Sequence, residues 1–210
     1  MTRARSRKIL RLLKEFHGAP RPELSYRGTY ELAVAVVLSA QTTDVQVNAV
    51  TKRLFDRYPD FPSLARASRA AVEKIIRSTG FYHNKARHII GLAGAVTEKF
   101  KGRLPETMEE LLTLPGIGRK SANVILGMGF RVPDFAVDTH VRRIANRLGY
   151  SGSPDPVKVE EALTAIIPRE EWITGHLLFI THGRRICTAR SPRHEECPVS
   201  ALCDFVKNNP

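Results

Sequence analysis

The stretch Leu114-Pro115-Gly116-Ile117-Gly118-Arg119-Lys120-Ser121-Ala122 decides the fold of this chain. A helical pattern enters it from about residue 107, a second one leaves it toward about residue 129, and Pro115 cannot continue the first helix. Gly116 and Gly118 allow backbone angles that other residues resist, so the sequence predicts a tight helix–hairpin–helix turn. The free N–H groups at the start of the second helix favour a bound phosphate, although an ordinary interhelical turn fits the same residues equally well.

The composition indicates a partner that is a polyanion. The 210 residues include 33 Lys and Arg against 21 Asp and Glu, a formal net charge of +12, which suits nucleic acid and salt-sensitive binding. Aromatic residues make up only 7% of the chain, which argues against a stacking platform for single strands. The sequence has no apolar run of membrane-spanning length, and the basic N-terminus lacks the apolar core of a secretory signal. We therefore expect no membrane partner.

Apolar residues recur at helical spacing along the chain, and sustained period-2 alternation is absent, so the sequence predicts an all-α fold. The pattern over 6–16 predicts an amphipathic helix, and 29–39, apolar on nearly all faces, predicts a central buried helix. Asp44 is the predicted N-cap of the next helix, which Pro59 and Pro62 end.

Lys120 is the strongest candidate for chemistry. An amine nucleophile must be neutral, and a position at a helix N-terminus beside Arg119, with partial burial, disfavours the charged form. A lysine that contacts phosphate is an equally good interpretation of the same position.

Asp138 follows the apolar run 135–137 and is a predicted helix N-cap. One helix and one loop separate it from Lys120, so the two side chains could meet. A carboxylate near an amine could stabilise a developing cationic sugar and assist removal of a proton.

Gln41 and Phe81 lie at predicted junctions between loop and helix. Core packing is the favoured interpretation of Phe81, because Phe is so often buried. The functional alternative is a wedge that enters the base stack while a nucleotide is flipped out.

The three cysteines all lie in the segment Cys187-x6-His194-x2-Cys197-x5-Cys203. An odd number clustered at one end argues against a disulfide framework and favours a metal or cluster site in a reducing compartment. A Cys3His set suits structural zinc, whereas iron–sulfur clusters usually take four thiolates but accept His. Three unligated thiols are the least favoured interpretation.

Four motifs together resemble endonuclease III, a family of helix–hairpin–helix DNA glycosylases that repair oxidised pyrimidines. They are the hairpin 114–122, the segment 137–140, the segment 38–44 and the cysteine segment, and the resemblance covers almost the whole chain. It implies two all-α domains with a DNA cleft between them. Residues 22–132 would form a six-helix domain, with the helix–hairpin–helix motif at about 107–129. Residues 1–21 plus 133–210 would form a helical cluster domain, with the cluster loop at 187–203.

The resemblance also implies a bifunctional reaction, glycosylase and abasic-site lyase. Lys120 corresponds to the lysine that attacks the sugar C1′, releases the base and forms a Schiff base, after which β-elimination cuts the strand. Asp138 corresponds to the catalytic aspartate. The resemblance implies that Gln41 fills the gap left by the flipped base and that Phe81 is the wedge. Gly116 and Gly118 would hold the DNA backbone. Arg119 and His140 are two further implied DNA contacts.

The family's four cysteines hold a [4Fe-4S] cluster, and here His194 stands in place of the second. We expect a cluster ligated by Cys187, His194, Cys197 and Cys203, with a shifted potential. The alternatives to this cluster are a labile or three-iron cluster, a zinc ion and an empty site. The implied partner is double-stranded DNA with a damaged pyrimidine or an abasic site. We expect a monomer in the cytoplasm, associated with the nucleoid.

Other functions remain open at this point. A monofunctional glycosylase for mispaired adenine or mismatched thymine generally lacks a lysine at the position of Lys120, whereas enzymes specific for pyrimidine dimers share it. A DNA-binding module without catalysis would need the hairpin and the positive charge, but neither Lys120 nor Asp138.

Overall fold

The computed structural model describes residues 1–208. Over this range the chain forms twelve α-helices and three short 3-10 helices and contains no β-strand, which confirms the predicted all-α class. No helix within the same range is long and apolar enough to cross a lipid bilayer.

Contacts within the chain divide it into two compact units. The first, here called the hairpin unit, is Pro22–Val132, and the second, the cluster unit, combines Met1–Arg21 with the described chain from Pro133 onward. The helices of the hairpin unit are α2 (Thr29–Leu38), α3 (Asp44–Arg57), α4 (Phe61–Ala65), α5 (Arg69–Ile76), α6 (Tyr82–Phe100), α7 (Met108–Leu112) and α8 (Arg119–Gly129), with a 3-10 turn at Arg77–Thr79. Those of the cluster unit are α1 (Arg3–His17), α9 (Thr139–Leu148), α10 (Pro156–Ile166), α11 (Trp172–Arg185) and α12 (Asp204–Asn208), with 3-10 turns at Arg169–Glu171 and Ser200–Leu202.

The hairpin unit is built around α2. Every residue of this helix from Glu31 to Leu38 is buried, as its continuous apolar sequence predicts, and α3, α6 and α8 pack against it. These neighbours are amphipathic and turn their apolar faces inward. The buried side chains of the unit include Leu32, Val34, Leu38, Val50, Leu54, Leu64, Ile76, Ile89, Leu92, Leu111 and Ile125.

Two details of the hairpin unit differ from the sequence prediction. The N-cap of α3 is Thr43, whose hydroxyl accepts from the Gln46 amide at 3.3 Å, so Asp44 begins the helix instead of capping it. The helix α4 was not anticipated. Asp60 caps it by accepting from the Ser63 amide at 2.8 Å, and Pro62 lies in its first turn, where a proline is tolerated.

The core of the cluster unit forms where α1, α9 and α11 pack together. Phe135 and Phe179 are fully buried there with ring centroids 5.9 Å apart. A Cβ at Gly175 would lie 3.1 Å from the Phe135 ring, so a small residue in α11 is what lets this ring pack closely. This core carries both the loop that leads into α9 and the segment containing the cysteines.

Candidate active site and cluster segment

The turn between α7 and α8 depends on Gly116. Its φ is +79°, and a Cβ at this position would lie 2.9 Å from the Cβ of His88 and 3.1 Å from Cγ1 of Val37, so glycine alone fits. Gly118 differs, because its backbone is extended at φ −102° and a Cβ there would meet nothing within 4 Å. The prediction of unusual backbone angles is therefore right for Gly116 and wrong for Gly118.

The N-terminus of α8 carries only positive charge in its first turn. Gly118 is the N-cap and has no side chain with which to cap the helix, and Arg119 and Lys120 follow, both exposed. The positive end of the helix dipole and two cations therefore face solvent together, an arrangement that favours an anion such as phosphate. The partial burial expected for Lys120 is not found, since its side chain is exposed.

Asp138 is the N-cap of α9, as predicted. Its Oδ1 accepts a hydrogen bond from the Val141 amide at 2.8 Å, and the side chain is half-buried. The residues before it are buried, and the Ala136 carbonyl lies 2.7 Å from Nδ1 of His176, which holds the approach to the helix. One oxygen of the carboxylate is thus fixed to the backbone, and the other oxygen takes no part in capping the helix.

His140 occupies the first turn of α9 and is half-buried. Its Nδ1 lies 3.2 Å from Nη2 of Arg143, which also donates to the Gly183 carbonyl at 2.7 Å. Burial lowers the pKa of His140, Arg143 and Arg184 lower it further, and Asp138 opposes them. The imidazole is therefore mainly neutral at pH 7, so a contact with DNA would use a hydrogen bond and not a full charge.

Gln41 and Phe81 share a backbone conformation that side chains rarely adopt. Their φ values are +52° and +47°, and both residues are exposed. Phe81 is 66% exposed, so the favoured sequence interpretation, packing in the core, is wrong. Strained non-glycine residues persist where the surrounding structure imposes them, and they cluster at functional sites.

A buried lysine joins the two loops that carry these residues. Lys85 is 4% exposed, and its Nζ donates to Oγ1 of Thr42 at 2.5 Å and to the carbonyl of Thr79 at 2.8 Å. Sequence reasoning missed Lys85. The available signal was its place four residues before Ile89, on the apolar face of α6, where a charged residue is unexpected.

The cysteine segment lines a small pocket in the cluster unit that is partly open to solvent. Cys187, His194, Cys197 and Cys203 all contribute to its wall, together with apolar side chains of α9. The three thiols are free, and Cys203 is buried while the other two are half-buried. Among residues 1–208, no three Cys, His, Asp or Glu side chains stand close enough to hold a single metal ion.

Two residues that sequence reasoning missed contact the thiols. Nη1 of Arg147 donates to Sγ of Cys187 at 3.1 Å, and Nε2 of the buried His182 lies 3.5 Å from Sγ of Cys197. Burial raises the pKa of the Cys197 thiol, a penalty that a bound iron ion would offset. Three thiols and an imidazole around an apolar pocket, with a guanidinium donating to one sulfur, fit an iron–sulfur cluster.

Comparison with known families agrees with this geometry. Residues 34–169 match the family described as HhH-GPD superfamily base excision DNA repair protein. Residues 187–203 match the iron-sulfur binding domain of endonuclease III. The chain is 44% identical over 200 residues to endonuclease III of Synechocystis sp., covering 95% of this chain and 91% of the relative. It is 43% identical over 182 residues to endonuclease III of Bacillus subtilis, covering 86% and 83%.

Solved structures show the same similarity in three dimensions. One, described as a trapped endonuclease III–DNA covalent intermediate, superposes with a TM-score of 0.93 at 42% identity and covers 99% of this chain and 98% of its own. Another, a non-covalent endonuclease III–DNA complex, gives 0.94 at the same identity and coverage. A thermostable thymine-DNA glycosylase shares the fold, with a TM-score of 0.87 at 22% identity over 97% of each chain.

Proposed function

We propose a residue-level mechanism for this chain, which belongs to the endonuclease III family and is a base-excision repair DNA glycosylase with abasic-site lyase activity. The proposal concerns which side chains perform the reaction, on which damaged base, and how the cluster is held. The observation that carries it is the start of α8, where Lys120 stands exposed in the first turn of a helix whose N-cap is the glycine Gly118.

Lys120 is the nucleophile. As its Nζ forms a bond to C1′ of the damaged nucleotide, the amine gives up a proton and the base leaves with the electron pair of the glycosidic bond. Ring opening gives a Schiff base, and loss of a proton from C2′ then expels the 3′ phosphate by β-elimination. An exposed amine is accessible to an extruded sugar, and the adjoining helix terminus favours the phosphate beside it. The relative that is described as a trapped covalent intermediate supports a covalent step.

Asp138 assists this step through its charge. The hydrogen bond from the Val141 amide fixes one oxygen, and the carboxylate can stabilise the positive charge that develops on the sugar and accept protons from the amine.

The substrates that we propose are oxidised pyrimidines in duplex DNA, with Gln41 and Phe81 entering the stack around the extruded nucleotide. Their exposure and left-handed backbones support this role.

The segment 187–203 is an iron–sulfur binding segment, and we propose [4Fe-4S] ligation by Cys187, His194, Cys197 and Cys203. Exchange of a thiolate for a neutral imidazole makes the cluster's net charge more positive, which raises its reduction potential. Iron and sulfide content and visible absorption should be retained in His194→Cys and reduced in His194→Ala. Equal iron content in all three proteins would exclude His194 as a ligand. Residence in a reducing compartment that contains DNA is part of the same proposal.

Borohydride trapping tests the nucleophile. The wild-type protein, incubated with a duplex containing thymine glycol and then reduced, should form a covalent complex, and Lys120→Gln should not. The matched control is Lys99→Gln, at an exposed position of α6, which should trap like the wild type. Nicking by Lys120→Gln at the wild-type rate would show that the reaction does not use this lysine and would overturn the proposed mechanism.

A further inference from the structure

The two residues proposed to enter the DNA stack lie on loops that are joined within the hairpin unit by one buried junction. Thr42 directly follows Gln41, and Thr79 precedes Gly80 and Phe81. Oγ1 of Thr42 donates to the Thr79 carbonyl at 2.6 Å, so the loops are already connected by one hydrogen bond.

Lys85 completes this junction. Its Nζ donates both to Oγ1 of Thr42 and to the carbonyl of Thr79, so the amine, the hydroxyl and the carbonyl form a closed triangle. Thr79 is 2% exposed and Lys85 is 4% exposed, whereas Thr42 is half-buried, so the bond from Lys85 to the Thr79 carbonyl is the one best shielded from water. Burial also lowers the pKa of Lys85, as expected for an ammonium group that is removed from water.

The junction lies beside a cluster of unusual backbone angles. Gln41 has φ +52°, Gly80 has +66° and Phe81 has +47°, so left-handed residues flank the triangle on both loops. Such conformations persist only where neighbouring contacts impose them. The bonds to Thr42 and Thr79 are contacts of this kind, and they leave the side chains of Gln41 and Phe81 exposed.

We propose that Lys85 is a positioning residue, which holds the Gln41 loop and the Phe81 loop at a fixed spacing so that both side chains enter the duplex together. This inference rests on the proposed function. Lys85 itself makes no contact with DNA and takes part in no chemical step. Its effect is on extrusion of the damaged nucleotide, before Lys120 acts.

The test uses Lys85→Met, which keeps an unbranched buried side chain and removes the donors. The probe is a duplex that contains a tetrahydrofuran abasic analogue with 2-aminopurine beside it. In the wild type, binding should raise the 2-aminopurine fluorescence as the stack opens. Lys85→Met should bind the duplex within about twofold of the wild type but lose this rise. Single-turnover excision of thymine glycol should fall about 10²-fold, a typical cost of misplaced groups.

Two controls separate positioning from general damage to the fold. Cleavage of a single-stranded abasic oligonucleotide needs no opening of a duplex, so Lys85→Met should retain it within about twofold. Lys99→Met, at an exposed position of the same helix, should match the wild type in every assay. Equal losses on single and double strands, or no loss on either, would overturn the proposal.

A double-mutant cycle makes the test independent of folding yield. In a background with Gln41→Ala and Phe81→Ala, there is nothing left to position, so Lys85→Met should cost less than about twofold more. The same cycle, run with Thr42→Val in place of Lys85→Met, removes the bridging hydroxyl. Thr42→Ser, which keeps a hydroxyl at this position, should restore duplex activity. If the activity losses of the single changes add fully in both cycles, the junction only stabilises the fold. Absence of a borohydride-trapped complex in the wild type would instead reject the proposed function.

Discussion

The N-termini of α8 and α9 have similar local geometry but opposite chemistry. Each follows an N-cap residue with extended backbone, but α8 begins at Gly118 without a side-chain cap among the described residues, whereas Asp138 caps α9 with its own carboxylate. Arg119 and Lys120 then add positive charge to α8. One terminus is suited to receive an anion from outside, and the other already contains one.

In the proposed mechanism, this difference lets one kind of structural element supply two halves of the reaction. At α8, where the N-cap is a glycine, the positive end of the dipole favours an anion and Lys120 lies in the first turn. A terminus capped by Asp138 fixes a carboxylate at a defined position through the Val141 amide. Substitutions at the two termini can remove this contrast or measure each side of it.

The largest effect is expected at α8. Lys120→Gln should lower the rate of strand cleavage by at least roughly 10³-fold, because loss of a nucleophile removes the covalent route. Arg119→Gln should leave the single-turnover rate nearly unchanged but weaken duplex binding, with the salt slope reduced by about one. Quench kinetics and a salt titration of both variants check this division of roles. A rate loss in Arg119→Gln as large as in Lys120→Gln would contradict it.

At α9 the cap and the proposed charge can be separated. Asn is as good an N-cap as Asp, so Asp138→Asn should keep the thermal stability while the excision rate falls roughly 10²- to 10⁴-fold. Asp138→Ala should lose the same activity and also about 1 kcal/mol of stability. Thermal melts beside single-turnover assays give both quantities. If Asp138→Asn retains full activity, the carboxylate serves only as a cap.

The two glycines of the hairpin should respond very differently to the same change. Gly116→Ala places a Cβ against His88 and Val37 at φ +79° and should cost about 1–3 kcal/mol of unfolding free energy. Gly118→Ala meets no atom within 4 Å and should cost less than about 1 kcal/mol, the difference between Gly and Ala at an N-cap. Denaturant unfolding of both variants measures the contrast, and equal costs would refute it.

The smallest effect concerns the pH dependence of stability through His140. Its pKa in the folded protein lies below the ordinary value of 6.5, so the unfolded chain binds more protons between the two values. Stability should therefore fall as the pH decreases through and below 6.5, and His140→Gln should make this fall shallower. Unfolding free energies from pH 5 to 7.5 compare the two proteins. Identical slopes would mean that His140 does not titrate differently on folding.

Local signals in the sequence predicted much of this molecule. The all-α class, the buried α2 and the cap at Asp138 depend on residues within one or two turns of each other, and each is found. The exposure of Phe81 could not be predicted in this way, because it depends on which neighbours the loop meets after folding. Lys85 was missed for the same reason, since its partners lie 43 and 6 residues away along the chain.

Mass spectrometry of the borohydride-reduced complex tests the central claim most directly. After digestion of protein and DNA, the residual sugar mass should be found on the peptide that contains Lys120, at its Nζ. The same mass on another lysine, or on the N-terminal amine, would show that the nucleophile lies elsewhere and would contradict the account of α8.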